Sequence, residues 1–402
     1  MKETTIGNTI QAYYLINVLK RLGEGFFFAT YVIFLMASGL DLFQVTIVNL
    51  TFMATIFLFE IPTGAFADSL GRKNSVIIGL FLFGAGMFIY FFSNLFILFI
   101  IAEFVAGIGA CFISGAFDAW LVDNLKSQKF KGNFVDIFSK GGVYSEPMSI
   151  FSALIGGYLG TINLALPWLA AGVTTMLAAV LAILMMKEPY FKPKPFRIRS
   201  TFDEMKKIAE YSVKYGLKHP VIFNMIAAGF LLGFATQPWN MFWSPFFKDL
   251  LNTDTAVLGW IWVGISASMV IGMYFAKQTL AKLKQRNYVL IFDTILISLA
   301  IILSALVGMP YLAIIFFFTH EIGRGMWKPI DSALMNDYIP SKQRATIISF
   351  DSMITRGGAA LGLLMGGFLA KEFGISNSWI FTAVALLASI YFFLRIDERN
   401  KK

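Results

Sequence analysis

The sequence predicts an all-α integral membrane protein: twelve transmembrane helices in two pseudo-symmetric six-helix bundles around a central cavity. Three observations carry this. The 402 residues are 57% hydrophobic and only 14% charged, against about 25% charged in a soluble chain, and mean hydropathy is +0.70. The apolar residues form continuous runs that reach the about 20 residues an α-helix needs to cross a bilayer. These runs are too long and too unbroken for barrel strands. The two halves of the chain also repeat one another.

In order, the runs cover about 12–37, 42–66, 74–93, 95–121, 137–160, 164–186, 220–247, 254–279, 288–307, 311–337, 344–370 and 376–395. The net charge of +9 lies in alternate loops, which points to a membrane topology and away from a nucleic-acid partner. Arg72 and Lys73, then Lys126, Lys129 and Lys131, then the basic 187–218 stretch, then Lys282, Lys284 and Arg286, then Lys342 and Arg344 mark the inner face, with Arg399, Lys401 and Lys402 in the tail. The opposite loops hold only Lys248 and Lys371. Both termini are therefore expected in the cytoplasm of a multi-pass cell (inner) membrane protein. Residues 1–9 are polar and no small-residue cleavage site follows an early apolar run, so no cleavable signal is expected. The single cysteine, Cys111, excludes an intrachain disulfide.

The long connection 187–218 divides the chain into an N-terminal bundle, 1–186, and a C-terminal bundle, 219–402. It contains Pro189, Pro193 and Pro195. Thr201 and Glu204 then have capping-box spacing, and Phe202, Met205, Ile208 and Ser212 recur at helical intervals, so an amphipathic surface helix is expected there. Three matches at a shift of about 210–214 residues support duplication. Leu70–Asn74 aligns with Leu283–Asn287, Asp123 with Asp337, and Leu154–Tyr158 with Leu364–Phe368.

Between the second and third runs stands Gly64-Ala-Phe-Ala-Asp68-Ser-Leu-Gly71-Arg72-Lys73. It reads as a short charged loop in which Gly64 and Gly71 permit a tight backbone. This G-x-x-x-D-x-x-G-R-K stretch resembles the signature loop of the major facilitator superfamily, whose members are twelve-helix secondary transporters. The resemblance implies alternating access. It also implies a cytoplasmic latch, with Arg72 paired to Asp123 at the inner end of the fourth span and Asp68 facing the start of the eleventh. Two positions depart from the family. Glu103 stands where a basic residue is frequent, and the fifth span has Glu146-Pro147 and Gly156-Gly157 in place of the antiporters' Gly-Pro pattern.

Ionisable groups inside a bilayer are costly and mark function by default. The first half holds Glu24, Glu60, Glu103, Asp118 and Glu146; the second holds Asp293, Glu321 and Asp331 with Arg324, Lys328 and Arg356. Glu60, Asp293 and Asp331 read as nearer the membrane surface. Glu103, Gly107, Ala110, Ser114 and Asp118 fall on one helical face, with no base in the middle of that span. Glu103 and Asp118 are therefore the leading proton-carrying pair, followed by Glu24 and Glu146. The deep N-half carboxylates have few bases nearby, since Lys20, Arg21 and Lys140 read as near the membrane ends. Glu321, Arg324, Lys328 and Asp331, spaced 3, 4 and 3, form a stripe. That stripe is either a self-neutralised ladder or a cavity wall, and Arg356 can join either. Trp239 and Asn240, with Gln237 and Trp243, line a lipophilic site, or the tryptophans pack in the core or form an interfacial aromatic belt. His320-Glu321 lacks the second histidine of a zinc motif, so a packed or cavity-facing histidine is expected and no metal.

Neither a phosphate-binding loop, a nucleophile elbow nor a metal-ligand cluster is present in the sequence, so no enzyme activity and no cofactor are expected. The expected protein is a monomeric secondary transporter in the lipid bilayer, exporting a lipophilic or cationic small molecule in exchange for protons. A proton-coupled importer of a small anion or metabolite bound by Arg324, Lys328 and Arg356 is the alternative, and a non-transporting membrane sensor is the alternative from another class.

Overall fold

A computed structural model describes residues 5–191, 219–282, 285–339 and 344–396. The linker helix expected over 201–212, Leu283 and Lys284 of the repeat, Lys342, and the tail residues Arg399, Lys401 and Lys402 lie outside the described residues.

The helices follow the apolar runs closely. They are α1 (Ile6–Gly25), α2 (Tyr31–Ala37), α3 (Leu42–Leu70), α4 (Arg72–Phe92), α5 (Phe96–Ile113), α6 (Ala116–Ser127), α7 (Phe134–Ile162) and α8 (Leu166–Met185). After the linker come α9 (Pro220–Leu251), α10 (Thr255–Lys282), α11 (Arg286–Leu306), α12 (Pro310–Tyr338), α13 (Arg344–Phe373), α14 (Ile375–Leu387) and α15 (Ser389–Leu394). Local chemistry sets several ends. Thr5 accepts from the Asn8 N–H, Asn133 from the Val135 N–H and His219 from the Ile222 N–H, each an N-cap. At the start of α3, Asp41 and Gln44 cap one another's backbone N–H groups at 2.8 and 3.0 Å. Burial of Asp41 opposes its charged form. The Gln44 N–H and the Lys371 ammonium, 3.1 Å away, outweigh this and hold its carboxyl below the usual range.

Among the described residues, nine helical stretches are long and apolar enough to cross a membrane. The other three runs read from the sequence, 12–37, 137–160 and 311–337, are also helical. Two of them carry clusters of ionisable residues, Lys20, Arg21 and Glu24 in the first and Glu321, Arg324, Lys328 and Asp331 in the third.

Two features correct the sequence reading. The expected loop 64–73 is almost entirely helical: α3 runs to Leu70 and α4 starts at Arg72, so Gly64 and Asp68 are helical residues. The reversal rests on Gly71 alone, at φ 102° and ψ 140°, a region open to glycine only. The fourth run, read as one helix, is broken. Ser114 is extended and Gly115 has φ +66°, which ends α5 and restarts the chain as α6. Glu103 and Asp118 therefore do not share a face.

The described residues fall into two compact units. The first gathers α1, α2, α3 from Ile47 onward, α4 to α8 and the start of α10 through Trp262; the second gathers Asp41–Thr46, α9, the rest of α10 and α11 to α15. Small residues let helices touch within each unit. In the first, Gly156 of α7 meets the Phe26 carbonyl and Gly79 of α4 meets the Gly109 carbonyl of α5. In the second, Gly362 of α13 meets the Phe234 carbonyl of α9. Trp120, Leu121 and Leu125 of α6 anchor the core of the first unit, fully buried against α1, α4 and α8 residues.

Candidate substrate cavity in the first unit

A cavity of about 610 Å³ opens within the first unit. One face of α1 supplies Tyr13, Asn17, Lys20 and Glu24, at helical spacing, with Arg21 beside them; α7 supplies Phe138, Ser145 and Glu146. The break between α5 and α6 also opens onto it, presenting Ser114, Gly115, Phe117 and Asp118. A discontinuous helix at a transporter cavity is a recurrent way to expose backbone and side-chain groups together.

Charge inside the cavity is arranged unequally. Arg21 bridges two carboxylates: Nη1 lies 3.0 Å from Glu24 Oε2 and Nη2 lies 2.5 Å from Glu146 Oε1. Lys20 Nζ adds a contact to Glu24 Oε1 at 3.5 Å. Glu24 and Glu146 are thus paired, although few bases were expected near the N-half carboxylates. The reason is tertiary, because α7 brings Glu146 against Arg21 from 125 residues away. Asn17 ties the same helices by donating to Ser145 Oγ at 3.0 Å. Asp118 is different. It accepts the Tyr13 hydroxyl at 2.8 Å, and no cation lies within ion-pair distance of it among the described residues.

Glu103 is away from the cavity lining. It is buried in α5, where Oε1 accepts the hydroxyls of Tyr31 at 2.8 Å and Tyr90 at 2.6 Å. The Tyr90 ring stacks on Trp168 at 3.9 Å, and Phe27 covers the other face of Trp168 at 4.7 Å. Glu60 is an exposed residue of α3.

The signature residues form a separate cluster. Arg72 donates to Asp123 and to the Ala119 carbonyl of α6, the latter at 2.7 Å, and stands 3.7 Å from Asp68. Sequence reasoning missed Glu188, whose two carboxylate oxygens accept the backbone N–H groups of Arg72 and Lys73 at 3.0 and 3.1 Å. A carboxylate there satisfies free helix-terminal donors and complements the helix dipole. Lys73 reaches the Ile183 carbonyl at 3.3 Å. Burial, with Glu188 and Asp123 nearby, pushes the Tyr190 phenol above its ordinary value. The only sequence signal for Glu188 was its place at the end of an apolar run.

In the second unit, Arg286 donates to Asp337 at 2.6 Å and to the Ala333 carbonyl at 2.9 Å. This moves the repeat by one residue: Arg72 corresponds to Arg286, at the same shift as Asp123 to Asp337, whereas the sequence alignment put Arg72 opposite Gln285. The α12 stripe forms i,i+3 pairs. Arg324 lies 2.9 Å from Glu321 and donates to Asn240 of α9 at 2.7 Å, and Lys328 lies 3.6 Å from Asp331. Trp239 is core: it is fully buried, and its indole N–H donates to Thr382 at 2.9 Å. His320 packs edge-on to the Trp239 ring, fully buried. Asp293 and Asp331 are buried within the protein at 0% and 6% exposure. Arg356 is an exposed residue of α13.

Comparison with known proteins agrees with this architecture. The chain is 23% identical over 399 residues to an uncharacterized MFS-type transporter, YxaM, of Bacillus subtilis (strain 168), covering 96% of this chain and 95% of that one. It is 24% identical to Multidrug resistance protein 1 of the same organism, covering 84% and 83%. The crystal structure of the nucleoside transporter NupG superposes with a TM-score of 0.80 over 96% of this chain and 98% of that one, at 12% identity, a likeness of fold. The sequence profile of the Major Facilitator Superfamily matches residues 13–354 and 295–402. The chain belongs to the Major Facilitator Superfamily and is a multi-pass membrane transporter rather than an enzyme.

Proposed function

We propose that this transporter exports a lipophilic, cationic small molecule by alternating access, driven by proton exchange, and that the first-unit cavity receives the substrate. The observation that carries the reading is the charge left over in that cavity. Its three carboxylates, Glu24, Glu146 and Asp118, face two bases, Lys20 and Arg21, and both bases engage the glutamates. Asp118 holds the uncompensated negative charge, beside the rings of Tyr13, Phe117 and Phe138, the first two stacked at 4.8 Å. A cation with an apolar body meets both features. A proton and a cationic substrate compete for one carboxylate, and competition at one site gives exchange. Glu103, held by two phenols and buried, is a second proton-carrying candidate. The relatives named multidrug resistance proteins and a multi-drug efflux pump support the efflux direction. Anion import is supported less, because Arg324 and Lys328 each meet a carboxylate.

In this reading all twelve runs span the cell membrane, as two six-helix halves, 1–186 and 219–402, joined by a cytoplasmic linker, with both termini inside. The test is transport of a lipophilic cationic dye in proteoliposomes under an imposed pH gradient. Asp118→Asn is expected to lower apparent dye affinity about tenfold, the worth of about 1.4 kcal/mol. Glu103→Gln is expected to reduce pH-driven accumulation while sparing dye binding. Unchanged affinity in Asp118→Asn removes the cavity from the substrate path. Wild type that ignores the pH gradient and answers to sodium removes the proton.

A further inference from the structure

Away from the cavity, the second unit contains two buried acids that share one base. Asp331 of α12 and Asp351 of α13 are 6% and 4% exposed. Lys328 Nζ lies 3.6 Å from Asp331 Oδ2 and 3.8 Å from Asp351 Oδ2. Both separations exceed the N–H···O hydrogen-bond range of about 2.7–3.2 Å, so the ammonium stands between the acids and belongs to neither. The Lys328 side chain is itself 68% exposed and reaches the pair from the surface of α12. With both carboxyls ionised, the trio carries one net negative charge, and both acids that hold it are buried. An uncompensated buried charge is costly, and two carboxylates held together do not ionise independently. Asp351 was not singled out in the sequence, because nothing in its own span announces a partner on α12.

Among the described residues, the surrounding elements supply no further counter-charge. On α9, Gly229 faces Asp351: a Cβ there would stand 3.3 Å from Asp351 Oδ1. The charged residues of α9, Lys248 and Asp249, lie in its last turn, and His219 caps its start. On α11, Arg286 is engaged by Asp337. Asp293 of α11 points at Gly323, eight residues or about 12 Å along α12 from Asp331. On α12 itself Arg324 is held by Glu321 and Asn240. On α10, which meets α12 at Gly272 and Ile322, Lys277 and Lys282 lie in the last two turns. On α13, Arg356 is five residues from Asp351 and points about 140° away from it; Arg344 opens the helix and Lys371 pairs with Asp41. The helix α14, packed on α13, has no charged residue.

We infer that Asp331, Lys328 and Asp351 form a one-proton site. A proton from water settles on one carboxyl oxygen, and the trio becomes one neutral acid, one carboxylate and one ammonium. In that state α12 and α13 are held together. When the proton leaves, the excess negative charge weakens that contact. The site lies in the other unit from the substrate cavity, and it relies on the proton-driven reading above only for its use in transport.

The experiment counts protons bound by purified protein in lipid nanodiscs, without substrate, with an indicator dye over a jump from about pH 8 to about pH 5. Wild type is expected to take up one proton more than Asp331→Asn and one more than Asp351→Asn. Each variant keeps a balanced Asp–Lys pair, so each is expected to fold, and either alone suffices if the other does not. Lys328→Met, which leaves two facing carboxyls, is expected to retain the uptake, and so is Asp293→Asn. Equal proton counts in wild type and both aspartate variants overturn the inference, as does a one-proton loss confined to Asp293→Asn. The two readings fail separately. Intact uptake with transport blind to a pH gradient removes only the coupling, whereas proton-driven transport with no uptake difference removes only this site.

Discussion

Each unit contains the same clasp, and the surroundings of the two clasps differ. Arg72 reaches Ala119 and Asp123, 47 and 51 residues on, and Arg286 reaches Ala333 and Asp337 at the same separations. The two arginines are nearly equally exposed, at 23% and 25%. In the first unit the clasp sits under a glycine at φ 102°, beside Asp68, with Glu188 capping the helix that begins at Arg72. In the second, Gln285 occupies the glycine's place with an ordinary φ of −98°, and Lys282 stands where Asp68 does. The repeat kept the pair that joins two neighbouring helices and diverged in the turn that leads into it. A clasp between two neighbouring helices serves any copy of the bundle, whereas the turn answers to local demands.

The largest expected effect breaks the turn. Gly71→Ala puts a side chain into a backbone region that strains non-glycine residues by about 1–3 kcal/mol, with its Cβ 2.8 Å from Glu188 Oε2. Thermal unfolding in detergent should show that loss. Gln285→Ala should stay within about 0.5 kcal/mol, as surface changes do. Equal effects at the two sites would mean that the turns have not diverged energetically.

Double-mutant cycles sharpen the likeness. Arg72→Ala with Asp123→Ala, and Arg286→Ala with Asp337→Ala, should each give a coupling of about 0.5–1.5 kcal/mol. Partial exposure of both pairs keeps the value below that of a buried ion pair. The two couplings are expected to agree within about 0.5 kcal/mol. A first-unit coupling several times the second would show that Asp68 and Glu188 strengthen the clasp itself, rather than only the turn.

Glu188→Gln carries the smallest effect. The amide has one oxygen where two carboxylate oxygens accept the Arg72 and Lys73 N–H groups, so one of those bonds is weakened. The charge at the helix terminus is also lost, worth about 0.3–1 kcal/mol and reduced by salt. The gap between the unfolding midpoints of wild type and variant should narrow as ionic strength rises. A gap that salt leaves unchanged would mean that the Glu188 charge does not act on the helix terminus.

The amino-acid sequence alone determined that this is a helical membrane protein and where its helices run. A bilayer leaves backbone groups no partner outside the helix, so an apolar run of sufficient length has little alternative. It also pointed to the contact between Arg72 and Asp123, since the resemblance carried by the signature residues implies that pair. Tertiary structure decided the site. The break at Ser114–Gly115 rests on one positive φ, which a glycine permits and does not announce, and it turned Glu103 and Asp118 from one face into two environments. The cavity's charge balance depends on Arg21 finding Glu146 across α1 and α7, and the capping of α4 on Glu188 returning at the end of α8. Asp351 was invisible as a partner of Lys328 for the same reason. Which buried charges meet is set by helix packing over separations that no sequence window contains.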